Sequence, residues 1–168
     1  MERADAEIDL LILALDGAFD APNAWQGPTL LGSVRNVSLA EAVWRPEPEA
    51  RNVWEYALHA AYWKYTVWRR LTGAKRGSFA RKGSNWYVCP PVDAEASDLA
   101  RLWRADVALL VETHAQLRGA IEALTRETLN EATKLTPLRQ LILGIAAHDA
   151  YHAGQIELIR QAYRRNQG

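Results

Sequence analysis

The stretch "TPLRQLILGIAAHDAYHAGQIELIRQAYRR", residues 136–165, decides how this chain is read. Its apolar residues recur three and four positions apart, the spacing that lines side chains along one face of an α-helix. Leu138, Leu141, Ile145 and Ile159 mark that face, and His148, His152 and Gln155 fall on it. Thr136 as N-cap and Pro137 at the first helical position predict where the helix starts. Two imidazoles four residues apart on a core-facing seam point at a common spot. Burying them with nothing to satisfy their ring nitrogens costs about 1–3 kcal/mol per orphaned group. A metal ion removes that cost by taking one lone pair from each ring, while the other nitrogen donates to a nearby acceptor. Asp149 stands about 100 degrees around the helix from His148 and is expected to be half exposed.

Working outward, three more long helices are predicted. Ile8, Leu11, Ile12, Leu15 and Phe19 give the first, which ends near Phe19 because "APNAWQGP" follows. Asn52 and Glu55 form a capping box at the head of "VWEYALHAAYWKYTVWRRLT", and Gly73 closes that second helix. The third runs from about Ser97 to Leu124, with Trp103, Val107, Leu110, His114, Leu117, Ile121 and Leu124 as its seam. Pro28 opens a short segment through Val37, and Ser38 with Glu41 caps another brief turn that "RPEP" stops. No segment reads as a strand. Four amphipathic helices imply an all-α four-helix bundle, one domain over residues 1–168. Helices two and three are joined by a long loop, "GAKRGSFARKGSNWYVCPPVDAEA", whose aromatic residues are expected to fold back onto the bundle.

Composition narrows the function classes. Twenty Lys and Arg balance twenty Asp and Glu, so no global field draws the chain to nucleic acid or to an anionic membrane. The apolar runs "LLILAL" and "LILGIAA" fall far short of the ~20 residues of a bilayer span. A single cysteine, Cys89, and a charged start, "MERADAEID", suit a cytoplasmic protein. Seven Trp and six Tyr against two Phe favour a lined cavity, because Trp and Tyr carry a polar handle on an apolar body.

A third ligand for the histidine pair is found in helix two at His59, with Glu55 one turn before it and Trp63 one turn after. Bundles build metal sites from side chains on facing helices, and three neutral imidazoles leave the open position of a catalytic site. His114, on the third seam, competes for the third or fourth position. Glu55 is already explained by its capping box, with a supporting or proton-transfer role as the alternative. Cys89 stands before two prolines with no histidine assigned to it, a poor nucleophile candidate. There is no phosphate-cradling glycine loop, zinc-protease box or nucleophile elbow.

The chain resembles, end to end, the DinB-like or YfiT-like superfamily of proposed bacterial metalloenzymes. The resemblance rests on "AWQGPTLLGSV", "SLAEAVWRP", "NVWEYALHAAYW" and "GIAAHDAYHAGQIELIR". It implies a four-helix bundle whose divalent metal is held by one histidine of the second helix and two of the last, which here are His59, His148 and His152. Gln155 matches the usual "HAGQI" ending, which implies a structural contact or one that supports a ligand. The resemblance also implies a homodimer. Relatives include thiol-dependent transferases and an isomerase that use a cytosolic low-molecular-weight thiol.

Two readings follow. In the first, zinc or nickel at the three histidines activates a water or a thiol, as in an S-transferase or a hydrolase. A small-molecule substrate is held by Trp63, Trp86, Tyr87 and Trp25. In the second, the same scaffold is a noncatalytic metal or small-ligand binding module, which a fourth protein ligand such as His114 would favour. Histidines that serve core packing alone are the remaining alternative. Ligand type does not choose among zinc, nickel, copper and iron.

Overall fold

Helix ends fall where capping chemistry sets them in the computed structural model, which describes residues 2–90, 95–130 and 137–168. Seven helices form among these residues: α1 (Glu2–Phe19), α2 (Leu30–Val34), α3 (Leu39–Val43), α4 (Val53–Thr72), α5 (Ala96–Glu122), α6 (Arg126–Asn130) and α7 (Leu138–Asn166). The Ser38 and Asn52 side chains accept from the backbone N–H of Glu41 and Glu55, and Gly73 ends α4 in the left-handed region at φ 71°. Two expected starts move. The short helix after Pro28 begins at Leu30 with Thr29 as N-cap and stops at Val34, since the Thr29 hydroxyl accepts from Gly32 N–H. In α7, Pro137 is itself the N-cap, extended at ψ 144°, and the expected cap Thr136 lies outside the described residues.

The four long helices pack in a ring, α1 on α5 and α7, and α4 on α5 and α7. Contacts give their directions. Trp54 meets Trp103 and Lys64 meets His114, so α4 and α5 run parallel. Tyr56 meets His152 while Trp63, two turns further along α4, meets His148, so α7 runs antiparallel to α4 within that packed pair. Parallel neighbours need a connection that returns the length of the helix, about 30 Å for twenty residues at 1.5 Å each. That requirement accounts for the long α4–α5 link. Its described part, residues 73–90, carries no helix.

The core has two apolar layers. Phe19, Leu30, Trp54, Leu58, Trp103, Leu110 and Ile156 belong to one; Leu11, Leu15, Val67, Leu117, Ile121, Ile142 and Ile145 belong to the other. Along α4, α5 and α7 the chain passes from one layer to the other at the buried polar residues Lys64, His114 and Asp149, with His59 and His152 buried on the first layer's side. The sites of interest therefore lie at or beside the crossing between the two apolar layers.

The buried stripe of α7 differs from the expected seam. Leu138, Ile142, Ile145, Asp149, His152, Ile156 and Ile159 are buried, whereas Leu141, His148 and Gln155 are half-buried. Both series step by three and four and share four members, so periodicity alone did not separate them. Asp149, expected half exposed, is completely buried because Lys64, also completely buried, reaches it from α4.

Candidate metal centre

His59 stands in the middle of α4, and His148 and His152 stand one turn apart on α7, so two rigid helices hold the three rings. Their Nε2 atoms converge. His148 Nε2 lies 3.1 Å from His59 Nε2 and 3.0 Å from His152 Nε2, and the three ligand atoms all lie within 4.8 Å of one another. Tetrahedral bonds of about 2.0–2.1 Å to nitrogen place neighbouring ligand atoms about 3.3 Å apart, so the spacing fits one shared ion.

The far side of two rings is fixed. His59 Nδ1–H donates to the Asn85 carbonyl at 2.8 Å, and His152 Nδ1–H donates to Gln155 Oε1 at 2.6 Å. Each bond places the proton on Nδ1 and leaves the Nε2 lone pair facing inward. The Nδ1 of His148 is buried with no partner among the described residues. Burial, ahead of the neighbouring imidazoles, pushes His148 down to about 3, and burial likewise pushes His59 down to about 4 against the pull of its Asn85 bond. His152 is lowered too, chiefly by burial. All three are neutral at pH 7, the form that binds a metal.

Aromatic rings wall the cluster. Trp86 stacks on His59 with ring centroids 3.8 Å apart, Arg51 lies 4.9 Å above the Trp86 ring, and Tyr56 meets both Trp86 and His152 at 5.3 Å. Trp63 lies 6.3 Å from His59 and 6.2 Å from His148. Tyr151 lies 5.1 Å from His152, and its hydroxyl accepts from Gln155 Nε2 at 3.2 Å.

Asn85 does two jobs at once. Beyond accepting from His59, its side-chain oxygen accepts from Trp63 Nε1–H at 3.0 Å, and it does so with φ at 64°. Asn tolerates that left-handed conformation better than most residues. Asn85 carries no periodic signal that sequence reading could use, whereas Tyr56 shares the three-and-four spacing of His59 and Trp63 and could have been found by it.

The other expected site residues fall into four groups. Trp63 and Trp86 sit at the cluster, while Tyr87 is buried behind the loop against Tyr62 and Phe79, its hydroxyl pushed up to about 12 by burial. Trp25 is fully exposed, because the α1–α2 turn carries it out into solvent. Glu55 is held by other partners than the imidazoles. Arg45 donates to both of its oxygens at 3.0 and 2.6 Å, and Cys89 N–H donates to Oε1 at 3.2 Å. Burial pushes the Glu55 carboxyl up, but these bonds and the Arg45 and Arg51 charges outweigh it and hold it below the usual range. It anchors the loop. The Cys89 thiol is buried and pushed up to about 11 by that burial, which disarms it as a nucleophile.

His114 does not join the cluster. Lys64 Nζ donates to its Nδ1 at 3.2 Å, its Nε2–H donates to Asp16 Oδ1 at 3.2 Å, and Phe19 stacks on it at 3.7 Å. Burial, then the Lys64 charge, push it down to about 4 despite Asp16. Behind the three histidines thus runs a second chain, Asp149, Lys64, His114, Asp16, Arg118, which joins α7, α4, α5 and α1. In the Lys64–Asp149 pair burial pulls the amine down and the carboxyl up, and each partner's charge opposes that shift without overcoming it.

Among known proteins, the sequence model of the DinB superfamily matches residues 25–156, more than three quarters of the chain. No curated protein and no solved structure matches it. Among the described residues, no helix is long and apolar enough to cross a membrane.

Proposed function

Because the chain belongs to the DinB superfamily and gathers three neutral imidazoles at ligand spacing, we propose that it is a metal-dependent enzyme of the thiol S-transferase or hydrolase type, built on a four-helix bundle. The convergence of the Nε2 atoms of His59, His148 and His152 at 3.0–3.1 Å carries this reading. A divalent ion, zinc or nickel, supplies Lewis acidity there, lowering the pKa of a water from about 15.7 to about 7 or deprotonating a thiol. The protein's own residues do the rest. Asn85 and Gln155 hold two rings in the donating tautomer, Trp86 shields His59 from water, and Trp63, Tyr56 and Tyr151 offer flat apolar surfaces to a small substrate. Three protein ligands leave one tetrahedral position for the reacting molecule.

The noncatalytic alternative has one observation in its favour. The carboxylate of α4, Glu55, is engaged by Arg45 and Cys89 and is not free to move a proton at the cluster. A homodimer in the cytoplasm completes the proposal, and the exposed pair Leu10 and Leu13, three residues apart on α1, offers apolar surface for pairing. Light scattering on the purified protein tests that part.

Metal analysis tests the site. The purified protein is expected to hold about one divalent ion per chain, and His148→Ala or His59→Ala to remove it. Retention of the ion by both variants would overturn the assignment. Incubation of the metal-loaded protein with low-molecular-weight thiols and electrophiles then separates an enzyme from a binding module.

A further inference from the structure

A chain with balanced charge keeps its cations unevenly. Residues 56–92 contain seven Lys and Arg and no Asp or Glu. Two of the seven are neutralised, Lys64 by Asp149 and Arg81 by Asp106. Arg69, Arg70, Lys75, Arg76 and Lys82 meet no carboxylate among the described residues.

Four of these five line one cavity of about 520 Å³ between α4 and the loop that follows it: Arg69, Arg70, Arg76 and Lys82. Its floor is aromatic. Tyr62, Trp63 and Phe79 line it, with Phe79 edge-on to Tyr62 at 5.5 Å. The size is that of a small-molecule pocket, and it combines flat apolar surface with planar guanidinium forks suited to carboxylate or phosphate. The helix dipole explains Arg69 and Arg70 at the end of α4. It does not explain Arg76 and Lys82, which belong to the loop, or the absence of any acid.

The cavity adjoins the histidine cluster through one side chain. Trp63 lines the cavity and also lies 6.2–6.3 Å from His59 and His148, pinned by its bond to Asn85. We propose that this cavity is a subsite for the anionic end of a small organic molecule, a carboxylate or phosphate on an aromatic or apolar body. The guanidinium groups hold the anion, and Tyr62 and Trp63 guide the body toward the imidazoles. The assignment of the imidazole end as the reacting end rests on the metal-enzyme reading above; the anion site itself does not.

Calorimetric titration of the purified protein tests it, with phenyl phosphate and phthalate as probes and inorganic phosphate and benzyl alcohol as controls. Both probes are expected to bind about tenfold or more tightly than either control, since each control offers half of the recognition. Arg70→Glu combined with Arg76→Glu, both exposed positions, is expected to weaken the probes about tenfold or more while leaving metal content unchanged. Equal affinity for phenyl phosphate and inorganic phosphate, or unchanged probe affinity in the double variant, would overturn the proposal. So would displacement of phenyl phosphate by a DNA duplex at lower concentration, which would assign the cations to nucleic acid. His148→Ala separates the two readings: loss of metal with probe binding intact supports both, whereas failure of the metal site shows in metal content alone.

Discussion

At the scale of single residues, the three ligands differ in what holds them. His59 and His152 each have an acceptor behind the ring, but His148 has none among the described residues. Acceptors behind a ligating imidazole fix its tautomer and raise its basicity, and losing one costs about 10–100-fold in metal affinity. Gln155→Leu keeps the size of the side chain and removes the oxygen that receives His152 Nδ1–H, so it is expected to weaken metal binding by about that factor. Competition with a chromophoric chelator measures it. Loss below twofold would mean that Gln155 only packs beside the site. The histidines themselves were legible as residue types at helical spacing, and so was Gln155 by its position. Asn85 was not, because its role depends on a loop turning back across α4, which no local pattern encodes.

At the scale of elements, α7 shows why a seam can be read one residue out of place. Leu141, His148 and Gln155 form a stripe beside Ile142, Asp149 and Ile156, and only the partner helix decides which of the two is buried. Lys64 decides it. A lysine inside the apolar run of α4 is tolerable only if a carboxylate waits opposite, and Asp149 is the residue at that level. A buried pair is costly to break on one side, by about 3–5 kcal/mol, and far less costly to replace whole. Lys64→Met is therefore expected to destabilise the metal-free protein by about that amount, as it leaves Asp149 buried and unpaired. Lys64→Met with Asp149→Leu is expected to recover most of the loss. Denaturant melts of the single and double variants give the coupling, and additive effects would show that the pair contributes nothing as a pair. The boundaries at Ser38, Asn52 and Gly73, by contrast, were legible, because these residues act through bonds and dihedrals local to each end, whereas the short α6 carried no signal that was read.

At the scale of the whole molecule, buried polar residues sit at or beside the crossing between two apolar layers, and their ionisation links stability to pH. The four long helices and their apolar faces were readable from periodicity, and the long α4–α5 link was readable as a gap in it. That the link serves two parallel helices was not, since direction emerges only from which residues meet. The same packing sets the pKa of these residues. His59 and His114 are pushed down to about 4 and His148 to about 3, chiefly by burial, from an ordinary value of 6.5. A group whose folded pKa is depressed binds fewer protons in the folded state between the two values. Stability is then fully present above about pH 6.5 and declines as the pH falls toward 4. Asp149, raised by burial, acts in the opposite sense, but one carboxyl stands against four imidazoles, His152 being lowered as well. A tenfold loss of proton affinity on folding is worth about 1.4 kcal/mol, and each kcal/mol about 2–4 °C in a domain of this size. The melting temperature of the metal-free protein is therefore expected to fall steadily from pH 7 to pH 4, with His114→Phe flattening the slope by its share while His59 and His148 stay in place. A melting temperature constant across that range would mean that these residues are hydrated enough to keep the imidazoles near their ordinary values, and their burial in the core would then have to be abandoned.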